Sequence, residues 1–104
     1  MLVGEPAIFA ALGDPTRLQI LSRLSDGEAC PIGQLTTMTS MSRQAVTKHL
    51  KLLEHAGLVS NYRAGRERRF TLNPEGLRQI QDYLRTIEAQ WDNALGRLRD
   101  HVES

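Results

Sequence analysis

The chain is 104 residues long, 40% apolar and 24% charged, with a formal net charge of +1 and a pI near 8.0. That length allows one domain with a modest core, the apolar runs are too short to cross a bilayer, and the start lacks the pattern of a secretory signal. A single cysteine, Cys30, excludes an intramolecular disulfide, so a cytoplasmic protein is the default expectation.

The small net charge hides an uneven distribution. Between residues 41 and 71, Arg43, Lys48, Lys51, Arg63, Arg66, Arg68 and Arg69 face only Glu54 and Glu67, a local net of +5, which leaves −4 for the rest. A basic module in an acidic frame is the footprint of a polyanion partner, most often nucleic acid.

In chain order, residues 5–12 place Ala7, Ile8, Ala11 and Leu12 on one side of a short helix that Gly13 ends. Asp14 caps a second helix with Pro15 at its first position, where a missing N–H costs nothing. Leu18, Leu21 and Leu24 form its stripe, widened by Ile20, and Asp26-Gly27 closes it. Pro31 opens a third helical segment that buries Ile32, Leu35 and Met38, and the small polar run 36–40 reads as the turn after it.

Ser42 then caps a fourth helix that Gly57 stops. Ala45, Val46, Leu50, Leu53 and Ala56 recur at steps of three and four, a buried stripe. Arg43, Gln44, Thr47, Lys48 and Lys51 are left facing outward, side chains able to reach phosphates and base edges in a major groove. His49 reads as a DNA-side or interhelical contact. Two β-prone runs follow, 58–63 and 67–72, joined by Ala64-Gly65-Arg66 in a hairpin that carries Arg63, Arg66, Arg68 and Arg69. A two-stranded hairpin is not stable alone and must pack on the helices, so the predicted fold is mostly α with a small β-hairpin, α-α-α-α-β-β-α, a winged helix-turn-helix.

Asn73-Pro74 starts a last helix over about 74–102. Its Leu77, Ile80, Leu84, Ile87, Trp91, Leu95, Leu98 and Val102 form nearly a heptad seam. Such a helix is about 40 Å long at 1.5 Å per residue, more than one small domain covers. A homodimer is the expected answer, with Leu84, Ile87, Trp91, Leu95 and Leu98 at the interface and Ile8 of the first helix joining them.

Three separated runs carry a family resemblance over nearly the whole chain: Ala11-Leu12-Gly13-Asp14-Pro15-Thr16-Arg17-Leu18-Gln19-Ile20-Leu21, then Ser42-Arg43-Gln44-Ala45-Val46-Thr47-Lys48-His49-Leu50, then Ala56-Gly57-Leu58-Val59. Together they resemble the ArsR/SmtB family of bacterial winged-helix repressors. The resemblance implies a cytoplasmic homodimer whose recognition helices enter successive major grooves of an inverted repeat while the wings touch flanking DNA. It places Ser42, Arg43, Gln44, Thr47, Lys48 and His49 on the recognition helix and Gly65, Arg66, Arg68 and Arg69 on the wing. Within that set Arg43, Gln44 and Thr47 are the expected base readers; Ser42, Lys48, His49, Arg63, Arg66, Arg68 and Arg69 are the expected backbone contacts.

The family's metal-triggered release needs ligands that this chain does not offer. Its thiolate site takes a Cys-x-Cys pair, against one Cys30 here, and its zinc site takes two histidines on the final helix, against His101 alone among Asp82, Glu88, Asp92, Asp100 and Glu103. No metal and no cofactor are expected, the long tail is similar to a subgroup lacking metal sites, and the inducer is left open. Cys30 reads as a small buried residue, with a thiol- or ligand-responsive switch as the alternative. A protein-interaction module without DNA specificity is the other. No nucleophile, paired-carboxylate or phosphate-loop pattern points to an enzyme.

Overall fold

The computed structural model describes residues 5–103. Five helices and three strands follow in the order α1 (Glu5–Leu12), α2 (Pro15–Leu24), β1 (Cys30–Pro31), α3 (Ile32–Thr39), α4 (Arg43–His55), β2 (Val59–Ala64), β3 (Glu67–Leu72) and α5 (Pro74–Glu103). The winged helix-turn-helix expected from the sequence is present, with one addition. Cys30 and Pro31 pair antiparallel with Phe70 and Arg69, making a three-stranded sheet of order β1-β3-β2. Pro31 is tolerated there because β1 is an edge strand and a missing N–H breaks no ladder.

The caps act as the sequence predicts. Asp14 accepts from the Arg17 N–H at 3.0 Å and Ser42 from the Ala45 N–H at 3.1 Å, each satisfying one orphan donor of a first turn. At the other end of α4, Leu58 N–H bonds to Leu53 C=O and Gly57 N–H to Glu54 C=O, with Gly57 left-handed at φ 79°, the paired bonds of a Schellman stop.

Two local expectations are corrected. Residues 36–39 continue α3 instead of forming a turn, because the hydroxyls of Thr36, Thr37 and Thr39 donate to the carbonyls of Ile32, Gly33 and Leu35 at 2.8–3.0 Å and so do not compete with the helix. The turn is delayed to Ser40, left-handed at φ 57°. In α2 the inward side is set by Ile20 and Leu24, both fully buried; Leu18, two residues from Ile20 and therefore on the far side of the helix, is 48% exposed.

One core gathers Ile8, Ile20, Leu24, Leu35, Val46, Leu50, Leu53, Leu58 and Phe70. Ile8 is thus not available to a dimer interface: α1 packs on α2, α4 and α5 and turns Ile8 inward, leaving Phe9 outward with its ring 4.9 Å from that of Tyr83. Helix α5 does the opposite. Gly76 is its one buried residue, whereas Leu84, Trp91, Leu95, Leu98 and Val102 are all more than half exposed. The chain therefore measures 67 × 24 × 23 Å with a radius of gyration of 18.0 Å, against about 13 Å for a compact domain of this length. No helix among the described residues is long and apolar enough to cross a membrane.

The start of α5 is fixed by close backbone contact. A Cβ on Gly76 would overlap the Gly57 carbonyl, and Asn73 N–H donates to Leu58 C=O at 2.9 Å. Gly76→Ala is expected to destabilise the fold by about 1–3 kcal/mol, the usual cost of overpacking against atoms that cannot move aside. Urea melts check this, and an unchanged midpoint would show that the contact is slack.

Candidate nucleic-acid interface

The outer surface of α4 is built by its own periodicity. With Val46, Leu50 and Leu53 buried, Arg43, Gln44, Lys48 and Lys51 are exposed, with Thr47 half-buried among them. Arg43, Thr47, Lys51 and Glu54 follow at steps of four, four and three and share one ridge. The Thr47 hydroxyl donates to the Arg43 carbonyl at 2.8 Å, which leaves its methyl and lone pairs for an outside contact.

The wing faces that ridge. Its register pairs Arg63 with Arg68 and Ala64 with Glu67, so the loop is Gly65-Arg66, with glycine at φ 65° in the first position as a two-residue hairpin turn requires. Side chains alternate along a strand, and this divides the wing arginines. Arg68 lies on the face of Phe70 and Asn61, toward the helices; Arg69 lies on the other face with Tyr62, 3.6 Å from Glu67.

Two adjoining grooves occupy the space between wing and helices. One, about 720 Å³, is lined by Arg23, Gly33, Gln34, Thr37, Arg43, Arg66 and Arg68 among others; the second, about 610 Å³, by Thr47, Leu50, Lys51, Glu54, Asn61 and Phe70, and both share Ile32, Arg43, Arg66 and Arg68. The N-terminus of α3, which no side chain caps, opens on the first, adding the partial positive charge of its unpaired N–H groups. The structure brings Arg43, Thr47, Arg66 and Arg68 together here. Ser42, Gln44 and Lys48 stand exposed on α4 outside the grooves. Arg63, whose Nε donates to the Gly65 carbonyl at 3.3 Å, and Arg69 line neither.

His49 departs from the expected role of phosphate contact. It is largely buried on the α2 side of α4, its Nδ1 3.2 Å from an Arg17 guanidinium nitrogen and 3.9 Å from Asp14. Of its two readings the interhelical one fits, because a side chain enclosed between helices cannot also reach a phosphate. Arg17 is a residue that sequence reasoning passed over. Its guanidinium also donates to the carbonyls of Ala11 at 2.8 Å and Ala10 at 3.2 Å, the last turn of α1, so one side chain ties α1 and α2 to the recognition helix. The Arg17 backbone N–H holds the Asp14 carboxyl below its ordinary value, and the nearby Arg17 charge adds to that.

A second set of unpredicted residues supports the wing. Asn61 donates through Nδ2 to Glu54 at 2.7 Å, and Arg68 donates to Asn61 Oδ1 at 2.6 Å. A carboxylate only accepts and a guanidinium only donates, so the amide fits in one orientation.

Among the described residues no three His, Cys, Asp or Glu side chains converge as a metal site would require. Cys30 is fully buried, its Sγ 3.6 Å from both the Pro31 carbonyl and Gln34 Oε1, and burial raises its pKa. A buried neutral thiol is a poor nucleophile. Cys30 is therefore expected to resist a disulfide reagent such as DTNB in the folded protein and to react at once in denaturant; rapid reaction in the native state would reopen the thiol-switch reading.

Comparison with known proteins agrees with this fold. Residues 14–61 match the model of the family described as "Bacterial regulatory protein, arsR family". The uncharacterised HTH-type transcriptional regulator YuzN of Bacillus subtilis is 42% identical over 82 residues, 73% of this chain and 89% of the relative. An ArsR-like transcriptional regulator from Rhodococcus sp. RHA1 superposes with a TM-score of 0.84 at 36% identity, covering 100% of this chain and 98% of that one. The homodimeric winged helix-turn-helix DNA-binding domain Mb0332 of Mycobacterium bovis shares the fold, with a TM-score of 0.68 at 22% identity over 84% of this chain and 80% of that one.

Proposed function

This chain belongs to the arsR family of bacterial regulatory proteins, and on that footing we propose that it represses transcription as a homodimer seated on an inverted-repeat operator in the cytoplasm. The observation that carries the reading is the convergence of a helix ridge and a hairpin on one basic groove, Arg43 and Thr47 from α4 facing Arg66 and Arg68 from the wing. Binding and regulation need no reacting group, and the role proposed is that of a regulator, as in the family.

Arg43, Gln44 and Thr47 are assigned to base reading. Arginine suits guanine and glutamine suits adenine, both by paired hydrogen bonds in the major groove, and the Thr47 methyl suits thymine. Ser42, Lys48, Arg66 and Arg68 are assigned to phosphates, where they set register without reading sequence. Arg63 and Arg69, outside the grooves, would touch flanking backbone at most. Gln44→Ala is expected to cost about 1–3 kcal/mol on the cognate duplex and nothing on a scrambled one. Arg66→Ala should weaken both alike and flatten the salt dependence by about 0.9 in slope. Fluorescence anisotropy against the protein's own upstream region and a scrambled duplex checks both, and equal losses for Gln44→Ala on the two duplexes would remove it from the base readers.

The dimer is assigned to α5. Leu84, Trp91, Leu95, Leu98 and Val102, with half-buried Ile87, run as a seam along one side, a stripe that a lone chain leaves in water and a second copy would cover. Phe9 takes the place expected for Ile8. The pair Leu95→Asp and Leu98→Asp should give a folded monomer with unchanged helix content in light scattering and circular dichroism, and DNA affinity should fall with it. A wild-type protein monomeric at micromolar concentration would contradict the assignment.

A further inference from the structure

The relay from Glu54 through Asn61 to Arg68 has no explanation in packing. Glu54 stands in the last turn of α4, where a carboxylate opposes the helix dipole, and it lines a groove whose other charged groups are Arg43, Lys51, Arg66 and Arg68. Opposed to the helix dipole, and of the wrong sign for a groove whose cations would otherwise all face a polyanion, it is held by one short bond, to Asn61 at 2.7 Å. That bond fixes the Asn61 amide so that its oxygen, not its nitrogen, meets Arg68 at 2.6 Å. With the amide reversed, two donors would face each other.

Arg68 needs such a holder. It sits directly across the ladder from Arg63, a like-charge pair that would push the two apart. The Asn61 oxygen draws the Arg68 guanidinium over the groove, and five N–H donors in a fixed fork leave several free to face outward.

We propose that the groove between α4 and the wing seats one sugar–phosphate strand, and that Glu54 and Asn61 are positioning residues that aim Arg68 at its phosphate. This rests on the DNA-binding reading above and adds to it a reason for an acidic residue on a surface meant for a polyanion. A fixed guanidinium meets a phosphate without first giving up side-chain freedom, so the gain lies in preorganisation.

The test uses the full-length protein and a labelled 30-base-pair duplex of random sequence, titrated at several salt concentrations, which requires no knowledge of an operator. Arg68→Ala should flatten the salt slope by about 0.9, Asn61→Ala should reproduce most of that loss, and the double variant should lose no more than Arg68→Ala alone. Glu54 separates aiming from simple charge. Glu54→Gln keeps an oxygen that accepts from Asn61 and should bind at least as tightly as wild type, whereas Glu54→Ala frees the amide and should bind several-fold more weakly than Glu54→Gln. If removing the carboxylate strengthens binding equally in both variants, or if the Asn61 and Arg68 losses add, the relay does not aim the arginine. Wild-type protein that binds no duplex would instead overturn the DNA reading itself, and thermal melts of each variant separate a loss of binding from a loss of fold.

Discussion

Gly57 and Gly76 meet backbone to backbone, and the placement of every functional element follows from that contact. The recognition helix ends at Gly57, the wing leaves through Leu58, and α5 begins on top of both, with no side chain to hold it off. A helix bearing the candidate base readers, a hairpin bearing arginines and a helix bearing the seam for a second subunit are thereby referred to a few atoms of main chain. Backbone contacts of this kind vary less than contacts between long side chains, because there are no rotamers to choose among.

Arg17 does the same for the other flank. By bonding the last carbonyls of α1 and the ring of His49 it joins the corner between α1 and α2 to the face of α4 turned away from the grooves. The recognition helix is thus held from both sides, by the core and Arg17 on one, by the Glu54 relay and the wing on the other. Its exposed ridge then needs little ordering on binding, which lowers the entropic cost of association.

Much of this was legible in the sequence because it is local. Asp14, Ser42 and Gly57 act through atoms within a few residues of themselves, and the stripe of Val46, Leu50 and Leu53 needs only helical geometry. What escaped depends on neighbours distant in sequence. Ile8 looked available to a partner until α4 and α5 closed over it, and β1 exists only because β3 lies beside it. The run 36–39 misled by composition, its hydroxyls turning back to their own helix. Arg17 and Glu54 did leave a trace. Each is charged against its helix dipole, a cation in a first turn and an anion in a last one, and each makes a tertiary hydrogen bond. Charges at the wrong end of a helix are a usable signal for such partners.

The central claim is that α4 and the wing of two such chains read a particular duplex. Selection from a library of randomised duplexes addresses it most directly, since nothing about the regulated genes need be known. The account predicts enrichment of an inverted repeat with half-sites separated by about one helical turn, or a multiple of it, and loss of that enrichment when Arg43 and Gln44 are replaced by alanine. A library that emerges with no preferred sequence would contradict it, and would leave the basic grooves as a surface for some other polyanion.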